Sequence, residues 1–418
     1  MTRLSRQANY SFIRTDILIE HLEEADFLFG LRNRAVSSPD FDMRALAKLE
    51  RRLDAHLDGL ALGGERTLYA LAPELAAEDP WRVTAMAGGL LTMGRDGPQQ
   101  QVFDLVPAEG GFPSPAIAAA LKYLPLEAGV EKRLQRWLDS PEPGPLALAW
   151  DVLGFHRVMP AADPVPASKH DDPAVRAAVV TAVGRLHHPD HKEVLVGLRQ
   201  DTDPQVRRRA AEARAQVGDP DLLADLREAR SSAEGMSGWE VALLASLGDP
   251  ADVEFLTGML TDEALAAPLA ETVMAGLATL GRLEAVPALL AAMERADLAA
   301  AAGQAFVRIT GLDLPVLPEV EPSPEQEDAS FEDLRPQPDP GLCRDLWTEK
   351  GNDWPPAKRW RHGLELDSQG WIAQPDDGDL LTRREEITRL CYNQPLAWST
   401  LELDAPVARQ RAWTLKET

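Results

Sequence analysis

Three short clusters carry residues able to do chemistry. His187-His188-Pro189-Asp190-His191 sets three imidazoles and a carboxylate within five residues, donors enough for zinc. Pro189 puts them on a turn, however, where Pro189 and Asp190 already have structural uses, and no distant ligand completes a tetrahedral set. A solvated turn is expected there. Asp54, His56 and Asp58 invite an acid–base role, but neighbours two apart on a helix point in different directions. Their expected work is an end-of-helix hydrogen bond or a contact to the first repeat. Ser168-Lys169-His170-Asp171 has an active-site composition but directly precedes a helix cap, which predicts a loop. Walker loops, GxSxG elbows and HExxH pairs do not occur. No catalytic residue, cofactor or metal is assigned.

Two further groups suit binding. Arg207-Arg208-Arg209, with Arg199 and Arg214 nearby, is the strongest basic cluster. Arg207 has a place in the repeat pattern described below. Arg208 and Arg209 are free to face outward and meet an acidic partner or a phosphate, unless Asp201, Asp203 and Glu212 pair with them. The second group is aromatic: Trp347, Trp354, Trp360, Trp371, Trp398 and Trp413 crowd the last part of the chain. They form either the core of a compact cap or an exposed patch in which Trp354, Arg359, Trp360 and Arg361 anchor a protein partner.

The elements that position these residues repeat. Val183-Gly184, Val217-Gly218, Leu247-Gly248 and Leu280-Gly281 each close an apolar run, with Asp219-Pro220 and Asp249-Pro250 placed to open the next helix. A period near 30 built from helix pairs marks an α-solenoid, whose surface binds rather than catalyses. Asp172-Pro173-Ala174-Val175-Arg176 and Asp203-Pro204-Gln205-Val206-Arg207 are the clearest copies. Asp caps the helix start, Pro suits the first turn, Val enters the core, and Arg reaches an Asp of the neighbouring repeat. Asp79-Pro80-Trp81-Arg82-Val83 is a degenerate earlier copy, and the prolines between 140 and 170 predict an irregular repeat or a break. Ahead of the repeats, Leu46, Leu49, Leu53, Leu57 and Leu60 form one stripe of a helix that Gly63-Gly64 ends.

Past Asp313 the character changes. Residues 313–345 hold ten acidic and two basic side chains among prolines, a composition for a stiff, extended linker. In the last region Leu380 to Tyr392 reads as a helix, with Thr382 and Glu385 as a capping box, and the region is expected to dock as a cap on the end of the stack. A net charge of −24 opposes nucleic-acid and anionic-membrane partners. Cys343 and Cys391 are expected as reduced thiols of a cytoplasmic protein. The charge-interrupted first thirty residues fit no signal peptide.

Several segments together resemble a proteobacterial family of HEAT-repeat proteins. They are Leu49 to Leu60, containing His56-Leu57-Asp58-Gly59-Leu60, then Ala305 to Leu312, containing Phe306-Val307-Arg308-Ile309-Thr310-Gly311, and Arg359-Trp360-Arg361-His362-Gly363. Members of that family are often encoded near type VI secretion components, beside spike-tip proteins and effectors. The resemblance implies an accessory adaptor or chaperone that loads cargo. It brings no catalytic residues, and the Trp-rich tail departs from its pattern in detail. The expected fold is all-α: helices over 1–60, an α-solenoid of HEAT-like helical repeats over 61–312, the acidic linker over 313–345 and a helical, Trp-rich region over 346–418. The expected work is non-catalytic protein binding, with a secreted effector or spike-tip protein as partner. Two alternatives stand beside it: a HEAT-like enzyme of bilin-lyase or DNA-glycosylase type, and a structural assembly subunit.

Overall fold

The structure is a computed structural model, and it describes residues 14–188, 190–229, 235–262, 264–317, 337–351, 354–356, 358–366, 378–395 and 401–414, without the side chains of His191, Trp413 and Thr414. Among the described residues nearly all regular structure is helical; a two-residue hairpin, β1 (Trp360–Arg361) with β2 (Leu364–Glu365), is the exception.

The chain makes two compact units. The first holds residues 14–219, 378–384 and 391–414 as described, and the second holds 220–366 and 385–390. In the first lie α1 (Thr15–Ala35), α2 (Met43–Gly63), α3 (Glu65–Leu71), α4 (Pro80–Thr92), α5 (Asp96–Phe103), α6 (Ser114–Tyr123), α7 (Ala128–Trp137), α8 (Pro143–Phe155), α9 (Pro164–Ala167), α10 (Pro173–Leu186), α11 (His191–Leu198) and α12 (Pro204–Gln216). The second contains α13 (Leu222–Ala229), α14 (Gly238–Leu247), α15 (Pro250–Met259), α16 (Ala267–Leu280), α17 (Val286–Ala292), α18 (Ala299–Thr310) and α19 (Pro340–Lys350).

The Asp-Pro copies do what their chemistry predicts. Asp79, Asp172, Asp203 and Asp249 each accept backbone N–H groups at a helix start, where four amides would otherwise lack partners. Val175 and Val206, two residues into their helices, are fully buried. Arg176 forks onto Asp201 at 2.7 and 2.8 Å and also donates to the carbonyls of His170 and Asp171. The guanidinium holds the Asp201 carboxyl below its usual range. Arg207 repeats the turn-closing part, donating to the carbonyls of Asp201 and Thr202.

First helices of successive repeats stack directly, α8 on α10 and α10 on α12. Gly154 and Gly184 make the close approach possible: a Cβ on either would lie 2.6 Å from the Cβ of Ala182 or Ala213 respectively. The stack therefore continues through 140–170, and of the two expectations there, an irregular repeat or a break, the first describes it. The prolines shorten the second helix of that repeat to the single turn of α9 instead, and α8 keeps its place. In α2 the predicted leucine stripe is buried along its whole length.

The compact units cut across the four expected regions. Their division at Asp219 falls inside 61–312, and parts of 346–418 belong to each unit. The helix Leu380–Asn393 begins with Asp379 accepting from the Thr382 amide. The Thr382–Glu385 capping box is thus replaced, because the Glu385 side chain is engaged elsewhere. Residues 318–336, most of the acidic linker, lie outside the described residues, as do Trp371 and Trp398.

Candidate protein-binding surface

Arg208 and Arg209 sit on α12, whose other side is fixed by stacking on α10. Arg208 Nε donates to one carboxylate oxygen of Glu212 at 2.9 Å, and Arg209 Nη1 donates to the other at 2.8 Å. Their side chains are 46% and 49% exposed. Two guanidiniums on one carboxylate leave a surplus positive charge facing solvent. Pairing at such exposure adds little stability, so both side chains are available to a partner.

The aromatic candidates are placed otherwise. Arg361 is completely buried and Trp360 nearly so. Trp347, Trp354 and Trp360 form a chain of ring contacts with Phe306, at centroid separations of 6.3, 5.9 and 6.3 Å. Indole N–H groups of Trp354 and Trp360 donate to the carbonyls of Gly363 and Pro355. An exposed Trp354–Arg359–Trp360–Arg361 patch is therefore corrected to an internal one: the aromatics pack beside the repeats and the arginines face inward.

What draws the arginines in is the end of a helix. The last carbonyls of any helix have no partner within it and carry the negative end of its dipole. Arg361 donates to the Ala278 and Thr279 carbonyls of α16, and Arg359 to those of Thr279 and Leu280. Arg389 reaches the carbonyls of Ala245 and Gly248 at the end of α14. In the first unit Arg409 donates to the Lys122, Tyr123 and Leu124 carbonyls at the end of α6, and Arg384 to Val36, which caps α1. Backbone amides join in: Trp360 N donates to the Gly281 carbonyl, His362 N to Arg308 and Gly363 N to Ile309. Gly281 and Gly311 close α16 and α18 in the left-handed region, with φ of 67° and 65°. A Cβ on them would strike the carbonyl oxygens of Trp360 and His362, at 2.6 and 2.3 Å. Rather than sitting as a cap on the end of the stack, the C-terminal residues cap one helix after another within each unit.

Buried carboxylates balance these cations. Glu385 accepts from Thr279 Oγ1 and Arg308 at 2.8 Å and from Arg361 at 3.0 Å, while Glu386 takes both Nη groups of Arg359. Burial pushes the Arg361 guanidinium down to about 10 while Glu385 acts against that. In the first unit Arg32 pairs with buried Glu50 at 2.8 Å, and Glu50 also accepts the Val407 amide. Desolvation raises the Glu50 carboxyl above its usual range, with Arg32 opposing.

The His187–His191, Asp54–Asp58 and Ser168–Asp171 clusters make local structural contacts. His187 is the left-handed C-cap of α10, with φ of 48°, and His188 Nδ1 accepts the Asp190 amide. Among the described residues no group of three or more His, Cys, Asp and Glu side chains is placed to hold a metal ion. Asp54 accepts the Tyr123 hydroxyl at 2.6 Å, whereas His56 meets His21 of α1. Ser168 is the buried C-cap of α9, and His170 Nδ1 accepts the Asp172 amide. Cys343 and Cys391 are free and buried, and burial pushes the Cys391 thiol up to about 12. Among the described residues no helix is long and apolar enough to cross a membrane.

Residues 163–236 match the model of the HEAT-repeat family described as "HEAT repeats". No curated protein matches the chain. Among solved structures, a crystal structure of an engineered protein aligns over 90% of this chain and 98% of its own, at 13% identity and a TM-score of 0.33. The family match runs from α9 to α13, the region that holds the Asp-capped starts of α10 and α12, the Arg176–Asp201 pair and the close approach at Gly184. The fold is all-α and HEAT-like.

Proposed function

We propose that this chain is a non-catalytic protein-binding scaffold of the cytoplasm, acting as an accessory adaptor or chaperone of type VI secretion that holds an effector or spike-tip protein for loading. HEAT repeats generally mediate protein interactions as scaffolds. The observation that carries the proposal is the fate of the charged side chains. Among the described residues the inward-facing Arg359, Arg361, Arg389 and Arg409 are committed to helix ends and Glu385 and Glu386 to arginines, while Arg208 and Arg209 share Glu212 and stay half-exposed on a helix packed from behind. A rigid helix with two preorganised forks suits recognition of acidic side chains on a partner, because little freedom is lost on binding. The secretion context rests on the resemblance of the Leu49–Leu60, Ala305–Leu312 and Arg359–Gly363 segments.

The test is capture of the full chain and of an Arg208→Ala, Arg209→Ala variant from cells that make it, followed by reconstitution of the recovered pair from purified proteins. A secretion effector or spike-tip protein should bind stoichiometrically, with affinity reduced at least about tenfold, or about 1.4 kcal/mol, by the double substitution. Recovery of no partner, or equal binding by an unaltered and a substituted chain, refutes the surface.

A further inference from the structure

The His56-Leu57-Asp58-Gly59-Leu60 segment has a role that its helix pattern alone does not explain. Leu57 and Leu60 enter the core. Gly59 lies inside α2, where glycine is a poor choice against alanine. Its lack of a side chain admits the ring of His21 from α1: a Cβ there would stand 2.5 Å from His21 Nε2. So seated, His21 shares a hydrogen bond with His56 between their Nδ1 atoms at 3.1 Å, one ring donating and the other accepting, with the rings edge to face and their centroids 5.2 Å apart; an ion would take the place of the shared proton. Both imidazoles are half-buried and reachable from solvent.

From this geometry we propose that His21 and His56 form a two-imidazole chelate for a divalent late first-row transition ion, of the class of Cu2+, Ni2+ and Zn2+, with water filling its remaining positions. Imidazole suits these ions. With metal–nitrogen bonds of about 2.05 Å, nitrogens 3.1 Å apart subtend an angle of about 98° at the ion. That lies between square and tetrahedral values. Two rings sharing one ion have centroids about 4.8 Å apart against 5.2 Å here, so a swing of a few tenths of an ångström completes the site. The charges around the pair also favour a cation: Glu20 and Glu24 act on His56 from α1, opposed by Arg52, which pairs with Glu24 at 3.4 Å. A bound ion would tie α1 to α2.

The experiment titrates the full, metal-stripped chain with Cu2+, read by its visible absorption, and with Zn2+, read by calorimetry and thermal unfolding. Each is repeated with His21→Ala, His56→Gln and, as a control for the other histidine cluster, His188→Ala with His191→Ala. His56→Gln is the milder change and guards against a His21 variant that folds poorly. One equivalent should bind the unaltered chain and the His188/His191 control and raise the melting temperature. Either His21→Ala or His56→Gln should abolish that equivalent, and binding should fade as pH drops through the imidazole range. No binding by the unaltered chain, or binding that survives both His21→Ala and His56→Gln, overturns the proposal.

Discussion

Replacing Arg361 by alanine discriminates most sharply between a surface anchor and a buried helix cap. Arg361 is fully buried and donates to the carbonyls of Ala278 at 2.5 Å and Thr279 at 3.3 Å and to Glu385 at 3.0 Å. Without it the Ala278 carbonyl loses its side-chain donor, and a buried acceptor left unmade costs about 1–3 kcal/mol. Glu385 keeps Arg308 and Thr279, so its carboxylate is not abandoned, but half of a buried pair is gone and a cavity remains. Breaking such pairs costs about 3–5 kcal/mol, which for a unit of this size lowers the melting temperature by about 10 °C. Chemical denaturation would measure the loss, and hydrogen exchange at the C-terminal end of α16 would locate it. Arg361→Lys should fall between, because an ammonium cannot present the planar fork that meets two carbonyls and a carboxylate together. A loss within about 0.5 kcal/mol, as for a surface side chain, would refute the capping argument and restore Arg361 to the solvent-facing patch.

Two further outcomes follow from buried groups. His156 Nε2 donates to the Leu121 carbonyl and the ring lies by Arg409, and burial brings its imidazole down to about 4 from an ordinary 6.5. The folded state then binds its proton later than the unfolded chain does, so the stability contributed is complete above pH 6.5 and is lost as pH falls toward 4. Its size is about 2 kcal/mol by pH 5 and about 3 kcal/mol in all; urea unfolding at pH 7 and pH 5 should show this difference shrink in His156→Gln. Gly184→Ala should destabilise by about 2 kcal/mol despite alanine's better helix propensity, since the added methyl meets the Ala213 backbone at 2.8 Å. An unchanged or raised denaturation midpoint would contradict the glycine seam.

The repeats were legible because their signals are local. An Asp that caps, a Pro that tolerates the first turn and a Val two places on are adjacent in sequence, and Asp172 to Arg176 and Asp203 to Arg207 fold as they read. The leucine stripe of α2 was legible for the same reason. Proline density between 140 and 170 pointed to an irregular repeat or a break without deciding between them: it bears on the length of α9, whereas α8 answers to burial of Trp150 and Leu153. Distance in sequence hid the rest. Nothing near Arg361 announces α16, some eighty residues earlier, and nothing near His56 announces His21. Arginine and tryptophan together describe both a binding hot spot and a buried cap; only the orphan carbonyls at the helix ends decide between them.

Because arginines beyond residue 358 finish helices that precede them by many residues, the order of synthesis matters. On the ribosome α6, α14 and α16 emerge with their terminal carbonyls served only by water, and each waits for its guanidinium to be translated. A message cut short within this stretch would yield helices whose terminal carbonyls lack these guanidiniums. The last of these helix ends, that of α6, is closed only once the chain has been made through Arg409.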